Sequence, residues 1–145
     1  MAIMNTLVKN VFLSGLTVMM FFLFDSCATK IPFESSSVVP AARGSVKVKK
    51  DNNHNYVIQL HLTNLAEVKR LEPARQTYVV WMETGQNIAK NVGQIKSSSS
   101  MLSQTLKASF ETVSSSRPTK IFITAEDDAS IQYPGTQLVL STDNF

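Results

Sequence analysis

The chain has 145 residues, a formal net charge of +3, one cysteine and two histidines. That length is one domain's worth once a leader is set aside, and a lone cysteine excludes an internal disulfide. His54 and His61 are too few for a zinc site of three or four ligands, and the small basic excess lacks the interleaved aromatics of a nucleic-acid surface.

The first element reads as an export signal. Lys9 precedes Val11–Phe24, fourteen residues broken only by Ser14, Gly15 and Thr17. A spanning helix needs roughly 20 apolar residues, whereas a signal core needs about 7 to 15, so a cleaved leader is expected rather than an uncleaved anchor. Asp25-Ser26-Cys27-Ala28 closes the run, and two cleavages fit. The first resembles a bacterial lipoprotein signal of relaxed, Bacteroidetes-like type, with Phe24 and Asp25 standing where Leu and a small residue are usual. That resemblance implies removal of residues 1–26 and lipid attachment at Cys27. The second is ordinary signal-peptidase cleavage after Ala28, because Ser26 and Ala28 are both small.

Cysteine usage favours the first. A free thiol is a liability in an oxidising compartment, and no other cysteine remains in the mature chain. Several acyl tails, of the palmitate kind, make a stable anchor where one is marginal. The expected location is a bacterial cell envelope, with the protein held to a membrane by its N-terminal lipid and facing the periplasm or exterior.

Residues 27–43 contain two prolines, a serine triplet and no periodicity, which predicts a flexible tether. Residues 44–143 form the expected folded domain. Val46–Lys49 and Tyr56–Leu62 alternate with period two on either side of Asp51–Asn55, which predicts a hairpin. Ala66–Arg75 is charged and unperiodic, an exposed crossing loop with room for one helical turn. Thr77–Glu83 is the strongest strand, followed by Ile88–Ile95 and by a polar loop at Ser97–Ser100. Leu102–Phe110 fits a strand better than a short helix. Lys120–Glu126 and Thr136–Ser141 complete seven strands, the last with Leu138 and Leu140 facing one way. Seven short strands with regular turn signals predict an all-β, immunoglobulin-like antiparallel β-sandwich. Its core is expected around Trp81, Phe122, Ile58, Leu60 and Leu140, with Trp81 in the third strand.

Tyr78-Val79-Val80-Trp81-Met82-Glu83, Val92-Gly93-Gln94, Ile123-Thr124-Ala125-Glu126 and Pro134-Gly135-Thr136-Gln137-Leu138-Val139-Leu140 together resemble the extracytoplasmic domain of anti-sigma-K-type factors, over residues 76–142. Those regulators carry a zinc-type anti-sigma domain and a membrane span ahead of this module, and neither is read in the preceding residues. The resemblance therefore implies the fold, a sandwich on the outer side of a membrane, and not sigma-factor binding.

Catalytic chemistry is sparse. The serines at 97–100 and 114–116 sit in no Gly-x-Ser-x-Gly elbow. Glu83 and Glu126 end two strands that pair antiparallel in such a sandwich, which puts them at opposite ends. Ion pairs of Glu83 with Lys120 or Arg117, and of Glu126 with Arg75, are expected instead. Glu126-Asp127-Asp128 lacks the alternating oxygen ligands of a calcium loop. Lys47, Lys49 and Lys50 give a mildly basic region that suits anionic headgroups or simple solubility. No cofactor, metal, nucleic acid or small-molecule substrate is indicated. The expectation is a non-enzymatic binding or structural accessory module that contacts another envelope protein through loops Ala66–Gln76 and Asp127–Gly135. The alternative is a sensor-type domain working with a separate transmembrane regulator.

Overall fold

A computed structural model describes residues 29–86, 88–95 and 107–145. The leader, Cys27, Ser97–Ser100 and the first part of the expected strand at 102–110 lie outside the described residues. Among the described residues there are eight strands: β1 (Thr29–Pro32), β2 (Arg43–Lys50), β3 (Tyr56–Thr63), β4 (Thr77–Glu83), β5 (Ala89–Ile95), β6 (Lys107–Ser114), β7 (Lys120–Glu126) and β8 (Leu138–Ser141). They form two antiparallel four-stranded sheets, β1-β2-β3-β6 and β5-β4-β7-β8. Hairpins β2–β3 and β4–β5 lie within sheets, and the chain crosses between sheets after β3, β5 and β6. Without β1, three strands lie over four in an immunoglobulin-like sandwich.

The β2–β3 hairpin forms where its turn chemistry predicts. Asp51 Oδ1 accepts from the backbone N–H groups of Asn53 and Asn55, each at 2.8 Å. His54 occupies the left-handed region at φ 65°, so this histidine belongs to the turn. Ile58, Leu60 and Leu62 alternate inward from β3 and are fully or almost fully buried. They meet Tyr78, Val80 and Met82 of β4 and Ile121 and Ile123 of β7 in the core between the sheets.

The tether expected over 27–43 is not one over its described part. Thr29–Pro32 pairs with β2 along four register positions, with Ile31 opposite Val46. Phe33, Val39 and Ala42 are buried in the core, and Glu34 N–H donates to Ser141 O at 2.8 Å. The segment thus begins on one sheet and crosses to the edge of the other. Its inward residues are too widely spaced to read as periodic. The C-terminus is also built in: Phe145 N–H donates to Thr119 O at 2.9 Å.

Trp81 is fully buried, but not between the sheets. β4 is buried on both faces, and Val79, Trp81 and Phe122 form a second cluster on the outer side of their sheet. Trp81 stacks on Phe122 at a centroid distance of 6.2 Å and donates from Nε1 to Thr124 Oγ1 at 2.7 Å. The residues after β7 cover this cluster with Ile131. The expected single core is therefore two, with Ile58, Leu60 and Leu140 in one and Trp81 and Phe122 in the other.

An irregularity displaces other expected positions. The β7–β8 register shifts so that Ile123 faces Leu140 while Thr124 faces Leu138. Val139 and Leu140 are both buried as a result, and Leu138 is exposed, so Leu138 and Leu140 do not share a face. The described β6 starts at Lys107 and continues four residues past Phe110, to Ser114. The crossing segment Ala66–Arg75 does contain a helical turn at Val68–Arg70, but it is not simply exposed: Val68 and Leu71 pack into the core.

Candidate functional site

The carboxylates singled out by the sequence are separated, and the ion pair expected of Glu83 with Lys120 or Arg117 is not among those of the described residues. Glu83 lies opposite Lys120 and Glu126 opposite Thr77, at the two ends of the β4–β7 ladder. Six residues of strand separate them, about 20 Å at the usual rise. Glu126 is buried and accepts from Gly135 N–H at 2.8 Å, not from Arg75. Added at Gly135, a Cβ would lie 2.5 Å from Glu126 Oε2, so a side chain there would push the carboxylate aside. Arg75 instead pairs with Asp127 and donates from Nε to Gln137 Oε1 at 3.0 Å. Asp128 Oδ1 accepts from the Ser130 N–H and hydroxyl, and these bonds hold its carboxyl below the usual range. The three successive carboxylates thus have three different partners.

His54 and His61 are both exposed, one in the hairpin turn and one on the outer face of β3. Among the described residues no group of three His, Cys, Asp or Glu side chains is placed to hold a metal. Every buried side-chain nitrogen or oxygen among them has a hydrogen-bond partner.

A groove opens on the surface at the side where β5 and β6 approach one another. Gly93 and Phe110 meet there, and beyond them the sheets part into an open groove of about 890 Å³. Ile88, Val113 and Tyr133 line it and are 65%, 57% and 84% exposed. Met82 and Val92 also line it, and Thr84, Gln86, Thr112 and Ser114–Ser116 add uncharged hydrogen-bonding groups. Among the described residues of the lining, Lys90 is the one that is charged.

Strand and loop geometry bring these residues together. In the β4–β5 register, Val80 faces Gly93 and Trp81 faces Asn91, so Val92 is an extra residue that bends β5. Asn91 Nδ2 donates to Ala129 O and Ile131 O, both at 2.9 Å, which fixes the loop after β7 against β5. That bond carries Ser130, Gln132 and Tyr133 to the groove. Of the two loops expected to bind partners, Asp127–Gly135 therefore contributes to this site. Ala66–Gln76 lines a separate, smaller cleft of about 330 Å³ with Gln94 and Ile95. Sequence reading missed the groove because its residues come from three separated segments, 82–92, 112–116 and 130–133, and single exposed apolar residues are common. No protein-family model, curated protein or solved structure matches the chain.

Proposed function

We propose that this is a lipid-anchored cell-envelope protein, tied to a membrane through Cys27, whose sandwich serves as a binding module for another envelope protein. The observation that carries the binding reading is the gathering of Ile88, Val113 and Tyr133 in one groove. Exposed apolar side chains are unremarkable singly, but three around one concavity with a polar rim have the composition of an interaction site. The near absence of charge in the lining suits a partner surface of tyrosine, amide and aliphatic groups over a strongly charged one.

Site-specific photo-crosslinking in intact cells tests this. A crosslinking residue at Tyr133 or Val113 is expected to give a discrete protein adduct, lost when Ile88→Ser is added. The same probe at His61, which shares the outer face of its sheet with Val113 but lies outside the groove, is expected to give none. Equal adducts from all three positions, or none from the groove, would contradict the assignment. An adduct with a transmembrane regulator would turn the reading towards the sensor-type domain.

A further inference from the structure

The outer face of the β1-β2-β3-β6 sheet is strongly basic. Residues that pair across the ladders share a face, and the burial pattern identifies which face is outward: Val46, Ile58 and Leu60 are buried, while their neighbours in sequence are not. Lys30 lies opposite Lys47, and Lys47 opposite Gln59. Lys49 lies opposite Val57, Arg43 opposite Thr63, and Thr63 opposite Lys107. Five cations therefore project from this face, and the one carboxylate among its strand residues is Glu111, which accepts from Gln59 Nε2 at 2.7 Å. The ion pairs among the described residues are Arg70–Glu67 and Arg75–Asp127, so none of the five cations is in one. The opposite sheet has its outer face covered by the loop after β7, whereas the outward residues of this one are exposed or half-buried.

The same sheet receives the chain from the proposed anchor. β1 is its edge strand and starts at Thr29, two residues after Cys27. Two residues span at most about 7 Å, which is inside the Debye length of about 8 Å at physiological salt. An acylated Cys27 thus holds Lys30 and its neighbours within electrostatic reach of lipid headgroups. A tether of seventeen residues would not have done so.

We propose that this basic face docks on an anionic lipid surface, so that the sandwich lies on the membrane instead of standing off it. The orientation rests on the Cys27 reading, whereas the affinity of the face for anionic lipid does not. Each Lys or Arg near such a surface contributes roughly a five-fold gain in partitioning, so several acting together are needed for measurable binding.

Residues 29–145 contain every described strand and both cores, and so form the unit to test. Sedimentation with vesicles of phosphatidylcholine plus phosphatidylglycerol is expected to carry this fragment down, with binding that falls as salt rises. Vesicles of phosphatidylcholine alone are expected not to. The triple variant Lys30→Gln, Lys47→Gln, Lys49→Gln should lose on the order of a hundred-fold in partitioning. Lys69→Gln with Arg70→Gln, away from the face, should leave it unchanged. Equal binding to both vesicle types, wild-type binding by the triple variant, or retention on heparin without binding to anionic vesicles would overturn the proposal. If Cys27 is not acylated, the mass of the cellular protein shows it while fragment binding persists. If the face is wrongly assigned, the converse holds.

Discussion

Phe110 lies over Gly93 so closely that a Cβ on the glycine would sit 2.8 Å from the ring's Cε2. The contact closes the sandwich where the outer edges of β5 and β6 meet, and the groove opens beside it. Gly93 also has φ 141°, a conformation that side chains rarely adopt.

Gly93→Ala meets both obstacles, so it should cost about 2 to 4 kcal/mol in urea unfolding. A loss within about 0.5 kcal/mol, the range of ordinary surface changes, would show that the ring moves aside and that the closure is not tight.

Trp81 should matter as much as a residue of the central core, although it sits outside it. Trp81→Ala is expected to destabilise by about 3 to 5 kcal/mol. Thr124→Val leaves the buried indole N–H without its acceptor and should cost about 1 to 3 kcal/mol. In a double-mutant cycle with Trp81→Phe, the two changes should be clearly non-additive. Additivity would mean that the 2.7 Å bond contributes nothing.

Tyr78 gives the fold an alkaline limit. Its hydroxyl donates to Ala66 O at 2.9 Å, and burial pushes its pKa up to about 12 from 10.0. The folded state therefore holds the phenolic proton after the unfolded chain has released it. Stability is unaffected by this group below pH 10.0 and falls as pH rises from there to about 12. Tyr78→Phe should cost about 1 to 2 kcal/mol at neutral pH and flatten that decline. Denaturation midpoints across alkaline pH check both parts. An unchanged alkaline slope would remove Tyr78 as its source.

These residues also show which features sequence patterning reveals. β3 is half-buried, so its alternation exposes both the strand and its inward face. In β4, Tyr78–Met82 are all buried, and a strand buried on both sides has no alternation to read. Trp81 could therefore be recognised as core but not assigned to a face. β1 has four residues, one of them proline, amid serines and prolines, and its partner β2 lies beyond that irregular stretch. The bulges at Val92 and Val139 depend on how strands pair, and the sequence near them looks like ordinary strand. The basic face was half legible: Lys47 and Lys49 stand out, but Lys30 and Lys107 join them only through pairing.

Asn91 links the strand bulge to the groove, and its loss should loosen the loop without unfolding the sandwich. Asn91→Ala is expected to raise amide hydrogen exchange across Ala129–Tyr133, with a global cost of about 1 to 3 kcal/mol for two lost hydrogen bonds. Crosslinking from Tyr133 should weaken in the same variant. Unchanged exchange in the loop would show that Ile131 packing alone holds it in place.

The proposed function ties this sandwich to a membrane through Cys27, and the orientation of its basic face, though not the affinity of that face for lipid, rests on that claim. Intact mass of the protein extracted from membranes, beside a Cys27→Ala control, tests that claim most directly. The expected product begins at Cys27, carries a diacylglycerol thioether with or without an added acyl chain, and is lost from the control. A mature chain beginning at Thr29 and recovered in the soluble fraction would contradict it.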